Sequence, residues 1–214
     1  MVRVKICGIS DVGSALVAAD AGADAIGLVF APSRRRVTVE QAREIASVLP
    51  PFVTKVGLFV DEDRERIEEI VGACGLDAVQ LHGREPPEFC AALRVPVLKA
   101  IRVKDATSLQ AMSTYRVAAF LLDSYHPETA GGTGRSFDWT LAAQVSRSAR
   151  VILSGGLTPE NVQEALDQVR PFAVDVSSGV ERDGRKDHAK IREFILRVRE
   201  WSLTRRMQSA EHTL

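Results

Sequence analysis

The sequence predicts a closed (β/α)₈ barrel, and three observations carry that prediction. Short β-rich runs alternate with longer amphipathic helical stretches from one end of the chain to the other. Such alternation requires crossover connections, which make the sheet parallel. The β/α units number eight in a chain of 214 residues, at the lower edge of the size range for a single barrel domain. An open doubly wound sheet is the alternative arrangement of the same alternation.

The strand candidates, in order, are Val2 to Cys7, Ala25 to Phe30, Lys55 to Val60, Ala78 to His82, Val97 to Ile101, Ala119 to Asp123, Val151 to Gly155 and Ala173 to Ser178. Each is short and rich in β-branched or other apolar residues. Between them, Thr38 to Leu49 places Val39, Ala42, Ile45, Ala46 and Leu49 at helical spacing, and Glu62 to Cys74, Glu85 to Leu93 and Pro159 to Val169 repeat the pattern. Asp187 to Trp201 closes the series. Residues 203–214 are polar and aperiodic, so the predicted organisation is a barrel over residues 1–202 and a frayed tail over 203–214.

Composition narrows the function classes. Lys plus Arg number 28 and so do Asp plus Glu, mixed along the chain, which leaves no basic field to hold a nucleic acid. The first ten residues alternate charged and apolar side chains, unlike a signal peptide, and no apolar run approaches a membrane span. A soluble cytoplasmic protein is expected, with no nucleic-acid or membrane partner. Cys7, Cys74 and Cys90 form no C-x-x-C pair, so neither a disulfide framework nor a zinc site is suggested.

Residues two apart on a barrel strand share a face, and polarity is the guide to which face is the lumen. On that guide Arg3, Lys5, Cys7, Gln80, His82, Lys99, Asp123, Asp175 and Ser177 point inward, while Val4, Ile6, Val79, Leu81, Leu98, Ala100, Leu122, Val174 and Val176 point to the helices. Charged groups in a closed lumen are costly unless they pair with one another or with a charged ligand. Their convergence at the C-terminal strand ends, where barrel active sites lie, favours a site over a purely structural ion-pair network.

Two glycine-bearing turns, Leu153-Ser154-Gly155-Gly156 and Ser177-Ser178-Gly179, end the last two strands. These are the loops where such barrels hold a phosphate on backbone N–H groups, so a phosphorylated substrate is expected. Ala130-Gly131-Gly132-Thr133-Gly134 fits neither a dinucleotide fingerprint nor a Walker loop, so NAD and ATP are not called for; it is either a closing loop or a bland surface one. Arg34, Arg35 and Arg36 follow the second strand, and any one of them suits a substrate carboxylate.

Cys7 ends the first strand with Lys5 on its face, and positive charge beside a thiol lowers its pKa toward neutrality. Asp123 ends the sixth strand, across the mouth from Cys7. The two suit an acid–base pair, with Asp123 raised by burial and Cys7 lowered. His82 is either a hydrogen-bonded lumen residue or a substrate contact, and no second strand-end histidine completes a metal site.

From Val2 to about Trp201 the chain resembles the phosphoribosylanthranilate isomerases. The resemblance is carried by Lys5-Ile6-Cys7-Gly8-Ile9, Gly22-Ala23-Asp24-Ala25-Ile26-Gly27, Val56-Gly57-Leu58-Phe59-Val60, Gln80-Leu81-His82-Gly83 and Leu121-Leu122-Asp123. Further along come Gly131-Gly132-Thr133-Gly134 with Phe137-Asp138-Trp139, Ser154-Gly155-Gly156-Leu157 with Pro159-Glu160-Asn161-Val162, and Asp175-Val176-Ser177-Ser178-Gly179-Val180-Glu181, all in family order. Ser124 departs from the family's more usual Thr and keeps the hydroxyl. The resemblance implies an Amadori rearrangement of a phosphosugar carrying an anthranilate group, in tryptophan synthesis, with neither metal nor organic cofactor. It puts the base on Cys7, the general acid on Asp123 and the carboxylate partner on Arg36. Gly155, Gly156, Asp175, Ser177, Ser178, Gly179 and His82 complete the expected substrate site, in a monomer or a homodimer.

Three rival readings remain. A histidine-pathway isomerase performs the same rearrangement on a substrate with two phosphates, which the acidic turn Asp61-Glu62-Asp63 would repel. An aldolase-like barrel would use Lys99 as a Schiff-base nucleophile. A phosphosugar-binding barrel without activity would have no use for both Cys7 and Asp123.

Overall fold

The computed structural model describes residues 1–124 and 138–211; the glycine-rich stretch 131–134 therefore lies outside the described residues. Eight parallel strands close into a barrel in chain order. They are β1 (Arg3–Cys7), β2 (Ala25–Val29), β3 (Thr54–Phe59), β4 (Ala78–Leu81), β5 (Val97–Val103), β6 (Ala119–Ser124), β7 (Val151–Leu153) and β8 (Ala173–Val176). Closure is made by β8 against β1, where Lys5 lies beside Asp175. Outside run α1 (Val12–Asp20), α2 (Val39–Val48), α3 (Arg64–Cys74), α4 (Pro87–Ala92), α5 (Trp139–Val145), α6 (Val162–Val169) and α7 (His188–Glu211). A 3₁₀ helix, Ala106–Thr114, stands where a helix would join β5 to β6, and a short hairpin of β9 (Glu181–Arg182) and β10 (Arg185–Lys186) follows β8.

Helix starts follow from capping. The Asp11 carboxylate accepts from the Ser14 N–H at the head of α1, and Thr38 and Gln41 form a reciprocal capping box at the head of α2. Gly75 ends α3 in the left-handed conformation, at φ 59°. The core between sheet and helices is built from the outward strand residues, among them Val4, Ile6, Ile26, Leu28, Val79, Leu81, Leu122 and Val174, all fully buried. A second, smaller apolar cluster of Ala100, Ala119, Leu121, Ile152 and Ala173, with Leu98 against it, plugs part of the lumen.

That plug corrects the expectation for β5. Leu98 and Ala100 face the lumen, and Lys99 faces the helix layer, because the register pairs Leu81 with Lys99 and Gln80 with Leu98. Apolar residues are needed inside this barrel as well as outside it, so polarity alone misassigns the strand. Arg3 shares the lumen parity but stands at the N-terminal rim, where its exposed side chain pairs with Asp24 at 3.3 Å. The stretch expected to fray is helical as far as Glu211, with only residues 212–214 outside the described ones. Leu, Arg, Met, Gln and Ala there are good helix formers, and Trp201 and Arg205 both reach Asp167 on α6. Among the described residues no helix is long and apolar enough to cross a membrane.

Candidate active site

At the C-terminal end of the barrel a cavity of about 380 Å³ is lined by Cys7, Gln80, His82, Asp123, Ser154, Gly155, Gly156, Asp175, Ser177 and Ser178, with Val29, Leu58 and Leu157 supplying apolar wall. Alternation along β1, β4, β6 and β8 brings the polar members there, since each occupies a lumen position at or just beyond its strand end. Cys7 and Asp123 thus open onto one space, as does the glycine cradle.

The floor is a buried polar network. Lys5 Nζ donates to Asp175 Oδ1 at 2.7 Å and to Gln80 Oε1 at 2.9 Å, and Ser154 Oγ donates to the other Asp175 oxygen at 3.1 Å. Burial by itself favours the neutral amine of Lys5, but the charges of Asp175 and Cys7 and their hydrogen bonds outweigh it and lift the ammonium to about 12. Gly27 on β2 makes room for this group: a Cβ there would stand 2.8 Å from Cys7 Sγ and 3.1 Å from Lys5 Nζ.

Burial pushes the Cys7 thiol up, against the pull of Lys5 and of Lys186, with Asp175 adding to the rise. This reverses the expected lowering. Neighbouring lysines are present, yet a fully buried thiolate loses more hydration than they return. Lys186, itself buried, donates to Ser177 O at 2.8 Å and to Glu181 Oε1 at 3.0 Å, so β10 ties the backbone of the turn after β8 to the charge beside Cys7. Burial lowers the Lys186 ammonium even with Glu181 opposing.

Asp123 Oδ1 accepts from the Ser124 N–H at 2.8 Å, and Oδ2 lies 3.3 Å from His82 Nε2. Gly155, at φ 81°, lets β7 approach this carboxylate, since a Cβ there would meet Asp123 Oδ1 at 2.7 Å and the Ser124 nitrogen at 2.6 Å. The amides of Gly155 and Gly156 make no hydrogen bond among the described residues, which leaves them open to an anion. Ser178 and Gly179 form the facing turn after β8.

The three arginines separate by partner. Arg34 and Arg35 both bind the buried Glu181 carboxylate, at 2.5 and 2.6 Å, whereas Arg36 is exposed and makes no ion pair or side-chain hydrogen bond among the described residues. Burial works against the charge on Glu181, but Arg35 and Lys186 overcome it and hold the carboxyl below its usual range. Arg35 lines the cavity and Arg36 does not.

Lys99 is removed from the site altogether. Its ammonium pairs with Glu85 at 2.7 Å in the helix layer, which leaves it unable to reach a lumen carbonyl group as a Schiff-base nucleophile. Arg102, absent from the expected site, shares the lumen parity of β5 beside Asp123 and donates to His82 O at 3.2 Å. Extending the fifth strand by two residues, with the correct face, would have found it. Glu181 and Lys186 were likewise not expected as site supports, because they belong to a hairpin that no periodicity announces. Among the described residues no cluster of three His, Cys, Asp or Glu is arranged to hold a metal ion.

The model for N-(5'phosphoribosyl)anthranilate (PRA) isomerase matches residues 4–197. The chain belongs to this isomerase family. An N-(5'-phosphoribosyl)anthranilate isomerase of Geobacter sulfurreducens is 55% identical over 203 residues, covering 94% of this chain and 100% of that one. The phosphoribosyl anthranilate isomerase of Thermotoga maritima is 48% identical with a TM-score of 0.87, over 94% of this chain and 100% of the other. A solved family structure in complex with reduced 1-(o-carboxyphenylamino)-1-deoxyribulose 5-phosphate is 46% identical with a TM-score of 0.84, again over 94% and 100%. The chain is an enzyme of the phosphoribosylanthranilate isomerase class, built on that family's barrel.

Proposed function

We propose that Cys7 and Asp123 divide the isomerisation between them as general base and general acid. Asp123 donates its proton to the furanose ring oxygen of N-(5-phosphoribosyl)anthranilate. The C1–O bond breaks toward that oxygen, and the anthranilate nitrogen supplies the pair that makes C1 an iminium. The fraction of Cys7 ionised to thiolate, its thiol proton having gone to water, then takes the C2 proton, and the C2–H electrons form the C1=C2 bond of an enolamine as the iminium π electrons return to nitrogen. Tautomerisation, with a proton gained at C1 and lost from the C2 hydroxyl, gives the ketone of the 1-amino-1-deoxyribulose phosphate. The step belongs to tryptophan synthesis.

The observation that carries this reading is that a thiol on β1 and a carboxyl group on β6 line the same 380 Å³ cavity, above Lys5 and beside the glycine turns. Lys5 and Lys186 favour the thiolate once it forms. The amides of Gly155, Gly156, Ser178 and Gly179, with the Ser177 hydroxyl, hold the single phosphate, with Asp175 keeping Lys5 in place. His82 contacts the reacting end. Arg36 takes the anthranilate carboxylate, a role favoured by the commitment of Arg34 and Arg35 to Glu181. The reading further takes the enzyme as cytoplasmic, monomeric or homodimeric, with a small-molecule partner only.

The test supplies phosphoribosylanthranilate and follows loss of its anthranilate fluorescence. Cys7→Ala and Asp123→Asn each lower kcat/KM by about 10²- to 10⁴-fold, while thermal unfolding stays near that of the parent chain. The two-phosphate substrate of the histidine-pathway isomerase gives no turnover. Normal turnover by Cys7→Ala removes the thiol from the chemistry.

A further inference from the structure

Three buried contacts run in series from Lys5 to the proposed acid, and their donor and acceptor chemistry fixes more than their distances. Lys5 carries only donors, so the Gln80 atom 2.9 Å from its Nζ is the amide oxygen. The amide NH₂ of Gln80 is then the group 2.9 Å from His82 Nδ1. An NH₂ can only donate, so Nδ1 is the bare acceptor and the neutral ring carries its proton on Nε2. That N–H is buried, lies 3.3 Å from Asp123 Oδ2 and makes no hydrogen bond among the described residues.

We propose that Gln80 is a positioning residue for the general acid, holding His82 in the Nε2–H tautomer so that this N–H faces Asp123. The proposal rests on the reading of Asp123 as the acid. As Asp123 gives up its proton, negative charge grows on the oxygen facing the N–H, and the interaction strengthens in the transition state rather than in the resting enzyme. The opposite tautomer would turn a lone pair toward the forming carboxylate. The backbone around the ring is held as well: Lys99 donates to Leu81 O at 3.4 Å and to Gly83 O at 2.8 Å, and Arg102 donates to the carbonyl of His82 itself.

The tautomer is read in a two-bond ¹H–¹⁵N spectrum of histidine-labelled enzyme, with His82 assigned by its loss in His82→Asn. The expected signal has Nε2 protonated and Nδ1 bare. Gln80→Glu, whose carboxylate accepts from Lys5 and from the ring, moves a proton to Nδ1 and lowers kcat about tenfold or more, with KM within about threefold of the parent. Gln80→Met frees the ring to both tautomers and gives a smaller loss of kcat; thermal unfolding verifies that both variants are folded. A proton on Nδ1 in the parent enzyme overturns the proposal, as does an undiminished kcat in Gln80→Glu once the proton has moved. An undiminished kcat in Asp123→Asn would instead remove the acid on which the proposal rests, so the two failures are distinguishable.

Discussion

The barrel holds two buried lysine–carboxylate pairs on opposite faces of one sheet, Lys5 with Asp175 and Lys99 with Glu85, each at 2.7 Å and each almost wholly shielded from solvent. In the lumen, the bonding capacity left over goes to side chains. Lys5 reaches Gln80 and supports Cys7, and Asp175 takes Ser154. In the helix layer it goes to backbone instead. Lys99 takes the carbonyls of Leu81 and Gly83, and Glu85 takes the amides of Asp61 and Gly83, which pins the loop carrying His82. Burial and pairing are therefore equal in the two, and only the face of the sheet separates a group that serves chemistry from one that serves a loop.

Breaking each pair from the lysine side tests that separation with the largest effects. Lys5→Met strands Asp175, and Lys99→Met strands Glu85, and an unpaired buried carboxylate costs about 3–5 kcal/mol in either place. Denaturant unfolding should report similar losses for the two variants. Their activities should diverge: Lys5→Met, which also deprives Cys7 of the cation favouring its thiolate, loses about a hundredfold or more in kcat/KM per folded molecule, and Lys99→Met stays within about tenfold of the parent. Equal losses of activity would dissolve the distinction between the faces.

The same comparison explains what the sequence could and could not tell. Strand order, barrel closure, the inward set of β4, β6 and β8, and Lys5 and Cys7 on β1 were legible because hydrophobic alternation and glycine turns are local signals, whereas Arg3 sits exposed at the N-terminal rim. Cys7, His82, Asp123 and Asp175 all line the cavity where their strand ends placed them. The face of β5 was not legible, because the polar-inside rule holds only where the lumen is polar, and Ala100, Ala119 and Leu121 make part of it apolar. The direction of the Cys7 shift was hidden for a related reason. Sequence shows a nearby lysine but not the depth of burial that outweighs it. Helix α7 ran on past Trp201 because partners on α6, invisible to periodicity, hold its exposed turns.

A smaller effect follows from pH. Lys5 is lifted from 10.5 to about 12 in the folded chain, so it contributes about 2 kcal/mol of stability that is present in full below pH 10.5 and lost as pH rises through about 12. Cys7 acts in the same sense, since a raised thiol favours folding below its ordinary 9.0 and loses that contribution as pH rises beyond it. These two groups therefore pull the unfolding free energy down on the alkaline side of pH 9, against the opposite pull of Lys186, whose ammonium burial lowers. Cys7→Ser should shrink the earlier part of the fall, leaving the share of Cys74 and Cys90, whose thiols burial also raises, and Lys5→Met should remove the later part that Lys5 carries. Alkylation of Cys7 should be slower at neutral pH than that of an ordinary thiol and accelerate only in alkali; fast labelling at pH 7 would contradict the raised thiol.

The smallest effect belongs to a third pairing, which differs from the other two in exposure. Asp167 on α6 accepts from Trp201 Nε1 at 3.0 Å and from Arg205 at 2.6 Å, and the Arg205 and Asp167 side chains remain 42% and 53% exposed. Water solvates either partner when the other is removed, so no charge is stranded, and such pairs are worth about 1 kcal/mol or less. Asp167→Ala should shift the unfolding free energy by no more than that, less still at high salt, and leave kcat/KM unchanged. Its visible consequence should be local: amide exchange over residues 203–208 should quicken, because the last described turns of α7 lose their two hydrogen bonds to α6 at Asp167 while β1 to β8 keep theirs. A loss as large as that of Lys99→Met would mean that pairing, rather than burial of the pair, sets the cost at all three places.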